Sequence, residues 1–368
     1  HLSIPGLKPS YPTRVVGIAP DGLHLDGPHF KSTPGQLRFA GYWLKGTISP
    51  YEGGAHFSVN WSDESWSAAM TALGYDGPQP KRFDWLAFWG DGTVRTVGRE
   101  TNGLRVSACA TKGEMTCMSC HAMHGDDPND QLKTGMRGQA ACVSCHEDIG
   151  ENIENHTHHG LGSSGSDCYN CHMPYTTYGL LNASRSHRVD SPNPSAQWHR
   201  GRPNACNLCH LDRSIEWAAK ATETWYGQPR EALSGDPTEI SAGALWLLKG
   251  DAAQRAIAAW HFGWAPAEKT AKTAQWAKPL LATLLNDPYS AVRAIAGASA
   301  TTLFGKTMPP YDFTASPKDR LASIEMLMSL SKSTEQATKA KREKRAIDGP
   351  TFSRLLRERD QRPIFIAE

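Results

Sequence analysis

The chain has 368 residues, enough for two or three domains. Lys plus Arg number 39 and Asp plus Glu 37, so charge implies neither nucleic acid nor an acidic membrane surface as a partner. No apolar run approaches the length that crosses a bilayer and no export-type segment heads the chain, so the sequence reads as a mature form.

Residues 1–105 contain no cysteine and are rich in Gly, Pro and Trp. Alternation of apolar and polar residues over Gln36 to Trp43 and Thr93 to Val97 predicts short strands, and Asp91-Gly92 predicts a hairpin turn. Trp43, Trp61, Trp66, Trp85 and Trp89 read as packing residues in a domain of few regular elements, although each could stack on a ligand. His24, His29 and His56 read as surface or internally bonded histidines.

Residues 106–213 carry one unit four times: Cys117-Met-Ser-Cys120-His121, Cys142-Val-Ser-Cys145-His146, Cys168-Tyr-Asn-Cys171-His172 and Cys206-Asn-Leu-Cys209-His210. Two thiols separated by two residues suit the two vinyl groups on one porphyrin edge, and the histidine that follows lies under the ring as the proximal iron ligand. Paired Cys-x-x-Cys units also build zinc ribbons, but zinc does not require a histidine after each pair. Histidine is 15 of 368 residues, so four such followers arise by chance roughly three times in a million. The reading is four covalently attached haem c groups, held by Cys117, Cys120, Cys142, Cys145, Cys168, Cys171, Cys206 and Cys209, with His121, His146, His172 and His210 on iron. Attachment of this kind takes place outside the cytoplasm, which makes the chain extracytoplasmic (periplasmic, extracellular or on the cell surface). Cys109 is left over as a small buried residue, and no disulfide framework remains. The segment is otherwise Gly, Ser, Asn and Pro rich, poor material for a core. Haem rings would fill the interior and staple the loops, with short helices directly after some of the units.

From Ser214 the pattern becomes helical, with Ile215, Trp217, Ala218, Ala221 and Trp225 on the apolar side and a stop at Gly227. The stretches around Arg255 and Arg293, 38 positions apart, read as two copies of one unit, close to the period of HEAT-type helical hairpins. Past a turn at Met308-Pro-Pro-Tyr311, a helix is expected from about Pro317 to Ser331. The basic run Lys339 to Arg345 reads as a solvated face, and Phe352 to Ala367 as an extension able to dock on a neighbouring subunit. The fold class that follows is mainly α with much irregular structure. A Trp/Gly-rich domain with short β-strands (1–105) precedes a loop-rich tetrahaem domain (106–213). An α-solenoid-like region of HEAT-like repeats (214–305) and a helical or extended tail (306–368) complete it.

Each iron has a second axial position, and a histidine there gives a low-spin iron suited to electron transfer. His124 lies three residues after His121, too close to reach the far face of its own haem but able to serve an adjacent one. In His156-Thr-His158-His159, His156 and His159 can serve two different haems, with His158 turned away or acting as a hydrogen-bond partner. His187 completes the set, with His199 as its rival. Met118, Met123 and Met173 are alternative axial sulfurs that read better as packing against porphyrin, and His261 reads as structural.

Several strings resemble the cytochrome c554-like group of secreted multihaem c-type cytochromes. They are Phe88-Trp-Gly-Asp-Gly-Thr-Val-Arg95, Gly113 to His124, His156-Thr-His-His-Gly160, Gly165-Ser-Asp-Cys-Tyr-Asn-Cys-His-Met-Pro174, Arg185-Ser-His187 and Pro203 to Asp212, with Trp217 and Trp225-Tyr-Gly227 in the same pattern. The resemblance spans roughly residues 85–230. It implies bis-histidine ligation with His124, His156, His159 and His187 as distal partners, and helical repeats after the haem segment. Many members carry further haem units upstream; the first 85 residues here have none. Some tetrahaem cytochromes assemble into extracellular filaments, and the sequence is compatible with that. The expected function is electron transfer between redox partner proteins, without catalysis, as a discrete carrier or a filament subunit. The alternative is a haem enzyme with one five-coordinate iron acting on a small nitrogen or sulfur compound.

Overall fold

The computed structural model describes residues 87–122, 131–329 and 347–361 in full, together with the strand backbone of 14–19, 22–27, 30–33, 36–39, 42–51 and 54–59. Contacts divide the chain into two units between residues 86 and 87. The composition change near 105 falls inside the second unit, and the helices that follow the Cys-x-x-Cys-His segment share that unit with it.

In the first unit, strands β1 (Arg14–Ala19), β2 (Gly22–Gly27), β3 (Phe30–Thr33), β4 (Gln36–Phe39), β5 (Tyr42–Tyr51) and β6 (Gly54–Val59) form one antiparallel sheet in chain order. Paired ends such as Ala19 with Gly22 and Thr33 with Gln36 leave two residues between neighbouring strands, the length of the tightest hairpins. The single strand expected over Gln36 to Trp43 is therefore two strands: Phe39 pairs with Tyr42, and the chain reverses between them, where the sequence supplies Gly41.

The second unit is mainly helical. It opens on the turn expected at Asp91-Gly92, where Gly92 has φ +78° and the Asp91 carboxylate accepts from the Thr93 N–H. Strands β7 (Thr177–Gly179) and β8 (Asn182–Ser184) form a small hairpin that rests on the helix Ala252–Phe262. Ser214 caps the helix Ile215–Tyr226 by accepting from the Trp217 N–H at 3.2 Å, and Gly227, at φ +64°, ends it.

Two helical hairpins follow, Ala242–Leu248 with Ala252–Phe262 and Ala277–Leu284 with Ser290–Phe304. First helix packs on first and second on second. The interface is closed by alanine and leucine, including Leu247, Leu248, Ala256, Ile257, Leu281, Val292 and Ala296, none more than 1 % exposed. Between the hairpins Arg255 makes a bidentate pair with Asp287, at 2.8 and 3.0 Å, with both side chains fully buried. Removing one partner of such a pair costs about 3–5 kcal/mol, because the other charge is left buried without compensation.

Nearer the C-terminus lie the helices Pro317–Ser329 and Gly349–Arg357. The second takes up the start of the stretch expected as an extension, Phe352 to Ala367, whose remainder from Arg362 lies outside the described residues. Leu355 is fully buried, the helix rests on Ala242–Leu248, and Arg354 bonds Asp236 at 2.7 Å. Its cap, Asp348, accepts from the Thr351 N–H, and Pro350 sits in its first turn. The basic run at Lys339 to Arg345 lies outside the described residues.

Candidate functional site

Each of the four Cys-x-x-Cys units lies on or overlaps a short helix: Cys117–Cys120, Ala140–Val143, Cys168–His172 and Ala205–Cys209. The expected helices after the units are in the main helices of the units themselves; the second unit alone is followed at once by another, Glu147–Glu151. A helical turn places residues i and i+3 on one face, so both thiols point the same way. The residue before the third and fourth of these helices starts the turn. Asp167 accepts from the Tyr169 N–H at 3.1 Å and Asn204 from the Asn207 N–H at 2.9 Å. Asn207 then donates to the carbonyls of His210, Arg213 and Ser214, which fixes the exit from the fourth unit.

The thiols of different units are neighbours. Cys142 of the second unit hydrogen-bonds Cys168 of the third and interacts with Cys120 of the first, and Cys171 interacts with Cys206 and Cys209 of the fourth. Burial pushes the thiols of Cys142, Cys206 and Cys209 up to about 12 and that of Cys171 to about 11, so they are neutral before any attachment. Cys109 is half-buried and close enough to Cys120 to raise its thiol slightly, after burial and against the opposing effect of Lys133.

The histidines form pairs. His121 and His187 stand 6.2 Å apart between ring centroids, His172 and His156 6.1 Å, and His210 and His159 6.2 Å. One member of each pair belongs to a Cys-x-x-Cys-His unit, and the other comes from the set singled out as distal. Two imidazoles bound on opposite sides of one metal ion put their centroids about 6.3 Å apart, given a metal–nitrogen bond of about 2.0 Å and roughly 1.15 Å from nitrogen to centroid. Within each pair the rings are too far apart for direct face contact and leave room for one metal ion.

Backbone carbonyls hold three of these rings. The Nδ1–H of His172 donates to the Asp190 carbonyl at 2.9 Å, that of His159 to Thr157 at 2.6 Å and that of His187 to Arg185 at 3.2 Å. A carbonyl only accepts, so Nδ1 carries a proton and Nε2 is the nitrogen left to bind a metal. Burial holds His156, His187 and His210 below the usual histidine range; His172 adds to this at His156, and His159 at His210. All three are neutral at pH 7. Gly165 makes room for His159: a Cβ there would lie 2.1 Å from the ring. This fits a planar group clamped between paired rings.

The remaining candidates fall elsewhere. His146 is exposed, and among the described residues no histidine ring is paired with it; His124 and Met123 lie outside those residues. His158, at φ +55°, turns away from the pairs and stacks on Trp225 at 4.3 Å. His199 is exposed and bonds the Ala232 carbonyl, apart from the three pairs. Buried His261 donates from Nδ1 to Ile257, and burial lowers it to about 3. Met118 is exposed and Met173 half-buried. Trp89 is buried and donates to the Thr176 carbonyl, a packing role. The side chains of His24, His29, His56, Trp43, Trp61, Trp66 and Trp85 lie outside those described. Sequence reasoning missed Gly165, the Asp190 carbonyl and Tyr226, whose hydroxyl donates to the His156 carbonyl at 2.6 Å. The Trp-Tyr-Gly string marked Tyr226 as notable but gave it no partner.

Residues 109–151 match a family model, the doubled CXXCH motif, the attachment pattern of covalent haem c. The match covers the first two units and supports a multihaem c-type cytochrome, a class typically extracytoplasmic and engaged in electron transfer. No curated protein and no solved structure matches the chain. No helix among the described residues is long and apolar enough to cross a membrane.

Proposed function

We propose that the chain is a tetrahaem electron-transfer protein of the extracytoplasmic space, passing electrons between redox partner proteins. The observation that carries this reading is the set of three histidine pairs, each separated by the distance that one metal ion between two imidazoles requires. When bound, haem c supplies reversible one-electron chemistry at iron. The chain's part is to hold and orient. The cysteine pairs would anchor the rings. His121 with His187, His172 with His156, and His210 with His159 would occupy both axial positions at the first, third and fourth units. At the second unit His146 would serve from one side and His124 from the other. The carbonyls at Arg185, Asp190 and Thr157 fix the ring orientation and leave Nε2 as the nitrogen that would face iron. Thiols of successive units lie beside one another, which supports close spacing along a single route.

The stacked hairpins between Ala242 and Phe304 support a reading as two HEAT-like repeats, a rigid flank to the haem segment. Assembly into a filament is no part of this proposal. The enzyme alternative would require one iron with an open position, and the second unit is where the two readings part.

Haem per chain and the EPR spectrum with and without cyanide decide between them. Four low-spin haems indifferent to cyanide are expected. One high-spin haem that binds cyanide would replace the pure carrier with an enzyme and direct the search for a substrate to that iron.

A further inference from the structure

The short helix Ala108–Thr111 has a serine at its N-cap that does not cap it. Ser107 is 2 % exposed. A serine in that position ordinarily accepts from an N–H two or three residues further on. Here Oγ accepts instead from the Val189 N–H at 2.9 Å. It lies 2.9 Å from the Gly103 carbonyl and 3.4 Å from that of His187, so its single proton serves the nearer one and has the other as an alternative.

One turn earlier, in the helix Glu100–Arg105, Gly103 meets the same segment. A Cβ on it would stand 2.7 Å from the Arg188 nitrogen and 3.0 Å from the His187 carbonyl carbon. Gly103 and Ser107 thus grip the backbone from the His187 carbonyl to the Val189 N–H, from a point some 80 residues earlier in the chain. The His187 ring has the longest of the three carbonyl anchors, 3.2 Å against 2.9 and 2.6 Å. Its position therefore depends more on where its backbone is seated.

We propose that Ser107 and Gly103 are positioning residues for the first unit: they seat His187 and so decide whether the iron held at Cys117, Cys120 and His121 is six-coordinate. This rests on the pairing of His187 with His121 proposed above. Without the Ser107 hydroxyl the Val189 N–H loses its acceptor in a half-buried place, and the segment 187–189 is free to shift. With a Cβ on Gly103 that segment is pushed outward. Metal–ligand bonds tolerate deviations of about 0.2 Å, so either displacement reaches the iron.

The test uses the full haem-loaded chain and counts high-spin, cyanide-binding haems per chain by EPR and optical titration, alongside total haem. His187→Ala is the reference and should show one such haem in four. Ser107→Ala and Gly103→Ala should each keep four haems and show the same single signal in part or in full. Ser107→Thr, which keeps the hydroxyl, should lie closer to the parent chain than Ser107→Ala. The double variant Ser107→Ala/His187→Ala should still show one signal. Fully low-spin spectra in both seat variants, a second signal in the double variant, or loss of haem from all four units in both seat variants would overturn the assignment. An entirely low-spin His187→Ala would overturn the pairing itself, and the seat with it.

Discussion

The segment from Val106 to Asn204 and the helices from Ala242 to Phe304 belong to one unit but are built on different physics. In the first, Ile153, Tyr178 and Ala183, with Pro174, Pro194 and Pro203, are the buried aliphatic or aromatic side chains among the described residues. In the second, nearly every turn contributes a fully buried alanine, leucine, isoleucine or valine. One region carries its own core; the other has hydrogen-bonded loops that bring together paired histidines and clustered thiols. The helical region is thus expected to be stable by itself, and the histidine-paired region only with its prosthetic groups bound.

The largest expected effect separates the two directly. Replacing Cys168 and Cys171 with alanine would remove the anchor proposed for the third unit, whose Cys168 lies beside Cys142 of the second and whose helix packs on that of the fourth. Amide exchange across 106–204 should then rise more than about tenfold, while that of 242–304 stays slow. Equal loss of protection in both regions would show that the helices depend on the haem segment, and the contrast would fail.

The converse change is Asp287→Ala. It leaves the Arg255 guanidinium buried without its carboxylate, although the Gly250 and Asp360 carbonyls still accept from it. We expect a loss of about 3–5 kcal/mol in denaturant unfolding of the helical region, with the haem spectrum unchanged. A smaller loss would mean that those carbonyls absorb the charge even though Arg359, a second guanidinium, also loses Asp287.

A more local change sharpens the comparison inside the histidine-paired region. Gly165 has no positive φ, so alanine is acceptable to the backbone, and its cost is purely steric. The new methyl would overlap the His159 ring. One haem in four should turn high-spin, with the other three unaffected, in the EPR spectrum of Gly165→Ala. A fully low-spin spectrum would show that the ring can move aside and still reach its partner.

The parts written in local chemistry were legible in the sequence. Four copies of Cys-x-x-Cys-His announce themselves, and the Ser214 cap, the Gly227 stop and the hairpins around Arg255 and Arg293 follow from periodicity and capping. What was not legible depends on contacts between distant residues. The role of Gly165 exists only because His159 folds back onto it, and that of the Asp190 carbonyl only because His172 lies beneath it. The hairpin from Thr177 to Ser184 turns at Leu180 and Leu181, both at positive φ. Turn chemistry points to Asn-Gly there, so two leucines hide the reversal. The tail misled for a similar reason: Leu355 looks like any exposed helical leucine until its partner helix is in place.

The smallest effect concerns that tail. Asp236 is held by Arg354 at 2.7 Å and by Lys249 at 3.0 Å, and Lys249 also reaches Glu358. The Arg354 hydrogen bond, opposed in part by burial and joined by Lys249, keeps the Asp236 carboxyl below its ordinary value of 3.8. A group depressed in the folded state contributes stability that is full above the unfolded value and is lost as pH falls through the folded one. The clasp should therefore hold at pH 5–7 and weaken below about pH 4. The cationic partners are 39–40 % exposed, so water and salt screen much of the attraction and the contribution is modest. Amide exchange in Gly349–Arg357 should accelerate below pH 4 before that of Ala252–Phe262 does, and Asp236→Asn should bring the same change to pH 7. If the tail helix stays protected in both conditions, burial of Leu355 with the Glu358 and Arg359 contacts holds it without Asp236, and the clasp adds nothing measurable.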